Sequence, residues 1–152
     1  MLRAARFSNP SLLKEHGLLE AAALFAARFD KIVQERVVDD PDGDLEITDI
    51  HGYADHSPAF HRDGFGLPYL FSCVSKYREM IRATAVGCIW VSQDGRACGE
   101  LHVGEGDDLV TVGGSVQEVV ETLAVAAFDE LMREWDPWYL GAEDDGLRCK
   151  WM

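Results

Sequence analysis

The residues whose types could support chemistry are concentrated in one short stretch of the sequence. Three histidines and two carboxylates lie close together, at His51, Asp55, His56, His61 and Asp63. Imidazole nitrogens and carboxylate oxygens are donors that hold zinc or iron, and they are also common general acids and bases. One hypothesis is therefore a small metal-dependent or general acid/base hydrolase, to which His102 could contribute from a later part of the chain.

The spacing of these residues favours a simpler interpretation. Separations of five residues place the histidines on neither one helix face nor one strand face, and no HExxH or HxH pattern is present. They fit a polar loop whose histidines form local hydrogen bonds. In the hydrolase hypothesis the catalytic residues are His56, His61, Asp63 and His102. The metal ligands are then His51, His56 and His61. Otherwise the sequence predicts no catalytic residue, metal or cofactor, and it favours a binding protein over an enzyme.

Charge is the most informative property of the composition. The 152 residues include 14 Lys or Arg and 27 Asp or Glu, which gives a net charge of −13. Asp39 to Asp55 contains seven carboxylates and no basic residue, and Glu100 to Asp145 contains thirteen with Arg133 as its only basic residue. Such a field repels nucleic acid and anionic membranes, and it attracts basic partners. The alternative is that the charge only keeps the protein soluble.

Aromatic residues accompany the carboxylates near the C-terminus, a combination typical of an interface with a basic protein. Trp and Tyr pack against Lys and Arg and form cation–π contacts with them. In the alternative interpretation, Trp138 and Trp151 cover the end of the core. The residues predicted to bind a partner are Asp39, Asp40, Asp42, Asp44, Asp107, Asp108, Trp135, Trp138, Tyr139, Asp144 and Asp145.

A β-hairpin is predicted around Asp94-Gly95, because this pair suits a two-residue type I′ loop that fixes the register of the strands. The register places Trp90 opposite Gly99 and directs Cys88 and Cys98 to opposite faces. The uncharged face is predicted to be the core face. It carries Val86, Cys88, Trp90, Leu101 and Val103.

Two helices are predicted to pack on the sheet. The first begins at Asn9-Pro10-Ser11, is interrupted at Gly17 and resumes as a long apolar helix. The second covers about 115–135, where Ser115 and Glu118 form a capping box and apolar residues recur at helical spacing. The apolar N-terminal helix could instead dock a partner.

The remaining elements complete an α+β fold. Strands are predicted at 45–50, at 67–77 as an edge strand, at 109–112 and at 147–151, with a helix at 75–82 as the competing interpretation of part of the second. The predicted architecture is an antiparallel sheet of about four to six strands, packed by the long N-terminal helix and the C-terminal amphipathic helix.

Length and cysteine usage predict one cytoplasmic domain covering 1–152. A chain of this length usually forms a single domain. No apolar run of about 18 residues and no signal-peptide pattern is present. The four cysteines have no CxxC spacing, which favours reduced thiols in a cytosolic protein.

Residues 80–152 resemble some small bacterial immunity proteins of polymorphic toxin systems. The likeness lies in the hairpin, the capped helix start Ser-Val-Gln-Glu-Val-Val at 115–120 and the ending Cys-Lys-Trp at 149–151. It implies a cytosolic inhibitor of a toxin, often a nuclease or deaminase, whose acidic stretches form the inhibitory surface. A phage-encoded inhibitor of a host nuclease system that mimics nucleic acid charge would share these features.

The leading hypothesis is thus an acidic protein that occludes a basic partner and contacts neither nucleic acid nor membrane directly. Electrostatic steering would accelerate the association. Two alternatives remain, the hydrolase described above and a homo-oligomeric structural subunit in which the apolar N-terminal helix docks a copy of itself.

Overall fold

The computed structural model describes residues 5–7, 10–36, 45–47, 50–54, 62–78, 80–103 and 109–132. Within these ranges the chain has an α+β fold, with three helices beside a mostly antiparallel sheet, which confirms the predicted fold class. The elements in chain order are β1 (Ala5–Phe7), α1 (Pro10–Glu15), α2 (Leu19–Arg36), β2 (Leu45–Ile47), β3 (Ile50–Ala54), β4 (Tyr69–Tyr77), β5 (Met80–Val91), β6 (Arg96–His102), β7 (Leu109–Ser115) and α3 (Val116–Met132).

Six of the seven described strands lie side by side in the order β1-β3-β4-β5-β6-β7. The seventh, β2, pairs with β4. β2 and β3 pair with successive halves of β4, and the β1–β3 pair is parallel. The prediction of an edge strand at 67–77 is wrong, because β4 lies between β3 and β5. Pro68 does not forbid this position, since it precedes Tyr69, the first paired residue. The competing helix at 75–82 is also wrong, because these residues form the β4–β5 hairpin.

The β5–β6 hairpin has a three-residue loop at 93–95. The Ser92 amide donates to the Arg96 carbonyl (2.8 Å), and the Gly95 amide donates to the Ser92 carbonyl (3.2 Å). The left-handed Gly95 (φ 88°) ends this loop, as is typical of three-residue hairpin loops. The Ser92 hydroxyl also accepts the Arg96 amide (3.1 Å). The predicted two-residue loop is wrong, because these contacts favour the longer one.

The extra loop residue changes the predicted faces, since a shift of one residue reverses the side chains of a strand. Trp90 lies opposite Cys98, and Gly99 lies opposite Ile89. Leu101 and Val103 do face the helices, whereas Val86, Cys88 and Trp90 face away from them. The predicted core face is therefore wrong. Cys88 and Cys98 share one face, contrary to the prediction.

Gly17 lies between α1 and α2 and separates the two helices, as predicted. The Leu18 amide donates to the Leu13 carbonyl (2.8 Å), and the Gly17 amide donates to the Lys14 carbonyl (3.1 Å). These two hydrogen bonds and the φ of 70° at Gly17 define a Schellman motif. Leu13 and Leu18 are both fully buried, so the turn also attaches α1 to the core.

Helix α3 begins with the predicted Ser115–Glu118 cap. The Glu118 amide donates to the Ser115 hydroxyl (3.1 Å), which in turn donates to the Glu118 carboxylate (3.1 Å). Strand β7 continues through Gly113-Gly114, although these glycines were predicted to end the sheet. At the other end of α3, the buried Ser75 hydroxyl donates to the Leu131 carbonyl (3.0 Å) and satisfies one terminal acceptor.

The core lies between the sheet and helices α2 and α3. Phe25 packs on Phe71 of β4 with ring centroids 4.1 Å apart, and Phe29 meets Phe128 of α3 edge-on at 6.4 Å. Both α2 phenylalanines are 0% exposed. They are consequently occupied within the chain, so charged substitutions there would report on folding before they reported on assembly with a second copy.

Candidate functional site

The side of the sheet that faces away from the helices is here called the open face. Within the described ranges no helix packs on it. Side chains on this face alternate along each strand with those of the core. They are Tyr53, Leu70, Ser72, Val74, Thr84, Val86, Cys88, Trp90, Cys98, Glu100, His102, Leu109 and Thr111.

A cluster built on Arg62 occupies one part of the open face. The guanidinium carbon lies 4.4 Å from the centroid of the Trp90 ring, a cation–π arrangement. Arg62 donates to Glu100 Oε1 (2.6 Å) and to Cys98 Sγ (3.3 Å). Phe65 packs beside it against the buried side chains of this face. Four interactions thus hold the 62–66 segment on the sheet.

Burial controls the thiol chemistry of the same region. Desolvation raises the pKa of the Cys88 thiol to about 12, and the charge of Glu100 adds to this effect. Burial alone raises the pKa of Cys73, on the helix side, to about 12. Both remain thiols at neutral pH and are therefore poor nucleophiles. Cys98 is partly exposed, so it is the most accessible of the three described cysteines.

The rest of the open face exposes apolar side chains to solvent. Tyr53 is 38% exposed, Val86 38% and Leu109 42%. Val86 pairs with His102, and His102 pairs with Leu109, so one cross-strand row spans the three strands β5 to β7. Val86 and Leu109 thus flank His102, and Tyr53 lies two strands from Val86 on the same face. Exposed apolar side chains that share a sheet face are a feature of protein contact sites.

A cleft of about 850 Å³ lies at the hairpin end of the sheet. Its lining combines Glu15 and His16, Phe65, and the exposed ion pair Asp94–Arg96 (3.1 Å). A hydrogen bond from Ser92 lowers the pKa of the Asp94 carboxyl, and Arg96 adds to the shift. The cleft offers charges of both signs and is open to solvent, which suits weak polar contacts.

The predicted histidine site is only partly within the described residues. Asp63 is exposed in the 62–66 turn, and His102 is exposed on the open face. His51 pairs with Ser72, so its backbone lies three strands from that of His102, about 14 Å at ordinary strand spacing. That separation is too large for a shared metal ion. Among the described residues no three His, Cys, Asp or Glu side chains are grouped as a metal site.

The other predicted site residues fall outside the described ranges. This holds for Asp55, His56 and His61, and for every residue predicted to bind a partner: Asp39, Asp40, Asp42, Asp44, Asp107, Asp108, Trp135, Trp138, Tyr139, Asp144 and Asp145. The predicted strand at 147–151 also lies there. Their assignments stay predictions from the sequence.

Sequence reasoning missed the Arg62 cluster. A signal was present, because Arg62 is the only Lys or Arg between residues 37 and 75. An isolated cation in an acidic stretch often has a specific partner. Trp90 was assigned to the wrong face by the hairpin register, which concealed its contact with Arg62.

The fold and the open face thus define an α+β protein whose most distinctive described surface is one side of a sheet. Comparison with known family models, curated proteins and solved structures finds no match for this chain. None of the described helices has the length and apolar character needed to cross a membrane.

Proposed function

We propose that this chain is an acidic protein-binding inhibitor that occludes a basic partner, and that the open face is its contact surface. The observation that carries the proposal is the set of exposed apolar side chains on this face, Tyr53, Val86 and Leu109. The Arg62–Trp90 pair at the hairpin end of this face is held by further hydrogen bonds to Glu100 and Cys98. It favours binding another protein, because binding energy concentrates at such preorganised aromatic and arginine positions.

The charge distribution supports a basic partner. The described residues contain ten Lys or Arg and twelve Asp or Glu, a net of −2, whereas the whole chain has a net of −13. Most of the negative charge therefore belongs to segments outside the described ranges. In the proposal these segments steer a basic protein toward the open face, which then blocks its working surface sterically. A toxin or nuclease in the cytoplasm fits this role, in line with the likeness to immunity proteins.

The first experiment is native mass spectrometry of the protein purified gently from its host at low salt. A basic protein that accompanies the chain at a fixed stoichiometry would identify the partner. A chain that carries one transition metal and no protein would instead favour the hydrolase hypothesis and contradict the proposal.

The contact surface is then tested with Val86→Arg, which places bulk and positive charge at the centre of the open face. We expect its affinity for the captured partner to fall by about tenfold or more. Thr122→Arg is the matched control, because Thr122 is exposed on α3, and its affinity should change by about twofold at most. Equal losses in the two variants would contradict the assignment of the open face.

Steering makes a separate prediction about rates. The association rate should fall by about tenfold or more between low salt and roughly 0.5 M salt, because screening shortens the range of the field. Stopped-flow mixing measures this rate directly. An association rate that does not change with salt would remove steering from the proposal.

A further inference from the structure

Strand β7 presents its backbone at one edge of the sheet. Within the described ranges no strand pairs with its outer side. We infer that this outer edge binds an extended basic segment of the partner, which adds a strand to the sheet. The inference rests on the proposed function and specifies how the partner is held.

The hairpin geometry shows which amides of β7 point outward. Ser92 and Arg96 bond to each other across β5 and β6, so alternate residues of β6 from Arg96 onward direct their backbone groups to β5. The residues between them direct theirs to β7, where their partners are Val110, Val112 and Gly114. The amides of β7 that point outward therefore belong to Thr111 and Gly113 and to the terminal residues Leu109 and Ser115.

The edge lacks the features that usually prevent strand addition. Natural edge strands are protected by charged side chains, proline or bulges. The sequence of β7, Leu-Val-Thr-Val-Gly-Gly-Ser, contains neither charge nor proline. Its pairing with β6 is continuous over all seven residues, from Leu109 to Ser115, without a bulge. Leu109, Thr111 and Gly113 are exposed. A second extended chain can therefore pair along β7 as far as Gly113, before the positive φ of Gly114 (144°) and the start of α3.

The surrounding charge selects a basic occupant. Eight Asp or Glu and no Lys or Arg occur between residues 97 and 132. Three of the eight are paired with arginines of other segments, Glu100 with Arg62, Glu121 with Arg28 and Asp129 with Arg36. The charge that attracts a basic segment therefore comes from residues next to the two ends of β7. Asp107-Asp108 directly precede β7, and the exposed Glu118 begins the helix that follows it. Two copies that paired through this edge would bring these carboxylates together, which electrostatics disfavours. A segment with Lys or Arg at alternate positions is attracted by the same charges.

The test uses a synthetic ten-residue peptide of alternating lysine and valine as the probe, at low salt. The control is the same peptide with every backbone amide N-methylated, which has the same charge and no N–H donor on either edge of a strand. Hydrogen exchange by NMR measures each amide of the full chain. We expect the first peptide to slow exchange at Thr111 and Gly113 by about tenfold or more and the control peptide to leave it unchanged.

Two variants at one position separate backbone pairing from side-chain contact. Thr111→Pro removes an outward amide without removing a β6–β7 hydrogen bond, and edge strands accept proline at such positions. Thr111→Ala changes the side chain and keeps the amide. The proline variant should bind the peptide about tenfold more weakly or worse, and the alanine variant should bind within about twofold of the unmodified chain. If the proline variant unfolds, the exchange pattern of the unmodified chain decides the question.

Other results would overturn the inference. Protected Thr111 and Gly113 amides in the isolated monomer would show that the chain itself covers the edge. A dimer in sedimentation experiments that Thr111→Pro dissociates would make a second copy the occupant. Equal binding of both peptides would leave only unspecific charge attraction. If the captured partner binds the folded Thr111→Pro variant and the unmodified chain equally, the edge inference fails while the proposed function stands. If no basic protein binds the chain at all, the proposed function itself fails.

Discussion

The two faces of the sheet differ in how tightly side chains pack against them. Beneath the helices, Gly87 and Gly99 leave space that Phe71 of β4 and Leu123 of α3 fill. On the open face, a cation from another segment covers the large side chain of Trp90. The same strands supply both surfaces, so the difference arises from alternate positions alone. The helix face is closely packed with apolar side chains, whereas the open face carries charged side chains such as Arg62 and Glu100.

The largest loss of stability is expected when a side chain is added on the helix face of the sheet. A Cβ at Gly87 would lie 2.5 Å from the Phe71 ring and 2.6 Å from the Glu100 carbonyl oxygen. Gly87→Ala should therefore lower the free energy of unfolding by about 3 kcal/mol, because the backbone neighbour cannot rotate away. Chemical denaturation measures the change.

Gly113→Ala, on the other side of the same sheet, is the matched control. Its added Cβ would meet nothing closer than the Ala97 carbonyl oxygen at 3.9 Å. We expect a change of about 0.5 kcal/mol or less. Equal costs at the two glycines would show that the faces do not differ in packing as described.

The Arg62 cluster provides a test of intermediate size on the open face. Arg62→Ala removes the ion pair with Glu100 and the contact with Trp90. In that ion pair the Arg62 side chain is 40% exposed and the Glu100 side chain is 21% exposed. The expected loss of unfolding free energy is about 1–2 kcal/mol. Labelling of Cys98 by a thiol reagent should accelerate, since its covering group is gone.

Arg96→Ala is the control, because the Arg96–Asp94 pair is 76% and 60% exposed. Such exposed pairs contribute little to stability, because solvent screens both charges. Arg62→Lys should recover only part of the loss, because an ammonium lacks the planar fork that stacks on Trp90 while bonding Glu100. The cluster would have no structural role if Arg62→Ala and Arg96→Ala were equally mild.

Local signals predicted the helices well because their caps are local. Gly17 ends α1 and Ser115 with Glu118 begins α3, and each of these motifs needs only residues that are neighbours in sequence. The hairpin was harder, because Asp94-Gly95 suits both a two-residue loop and the end of a three-residue one. The choice depended on the Ser92 side chain, and one residue of difference moved Trp90 to the other face.

The candidate site was less predictable because its parts are distant in sequence. Arg62 reaches Glu100 across 38 residues, and only the strand order brings them together. The position of β4 inside the sheet likewise depends on which strands pair with it. The periodicity of a sequence does not encode the identity of those neighbours. Charge was readable from composition, but its location relative to the open face was not.

The smallest change in stability is expected for an ion pair on the outer surface of the helices. Arg28 of α2 forms a bidentate hydrogen-bonded pair with Glu121 of α3. The hydrogen bond from Arg28 lowers the pKa of the Glu121 carboxyl below its ordinary value of 4.5, and the charge of Arg28 adds to the shift. A lowered folded-state pKa stabilises the folded protein above the unfolded-state pKa, and this stabilisation is lost as the pH falls through the folded-state value.

The Glu121→Gln variant should therefore be less stable than the unmodified chain at pH 6–7, and the difference should disappear as the pH falls below 4.5. Because Glu121 is 52% exposed, solvent screening limits the effect to about 0.5 kcal/mol. Glu35→Gln is the control, since it removes the same charge from the looser Lys31–Glu35 pair at 3.9 Å. Denaturation midpoints compared across this pH range provide the measurement. A Glu121→Gln deficit that persisted at pH 3 would mean that the carboxyl acts through packing, and the α2–α3 contact would then resemble the tightly packed helix face more than a solvated ion pair.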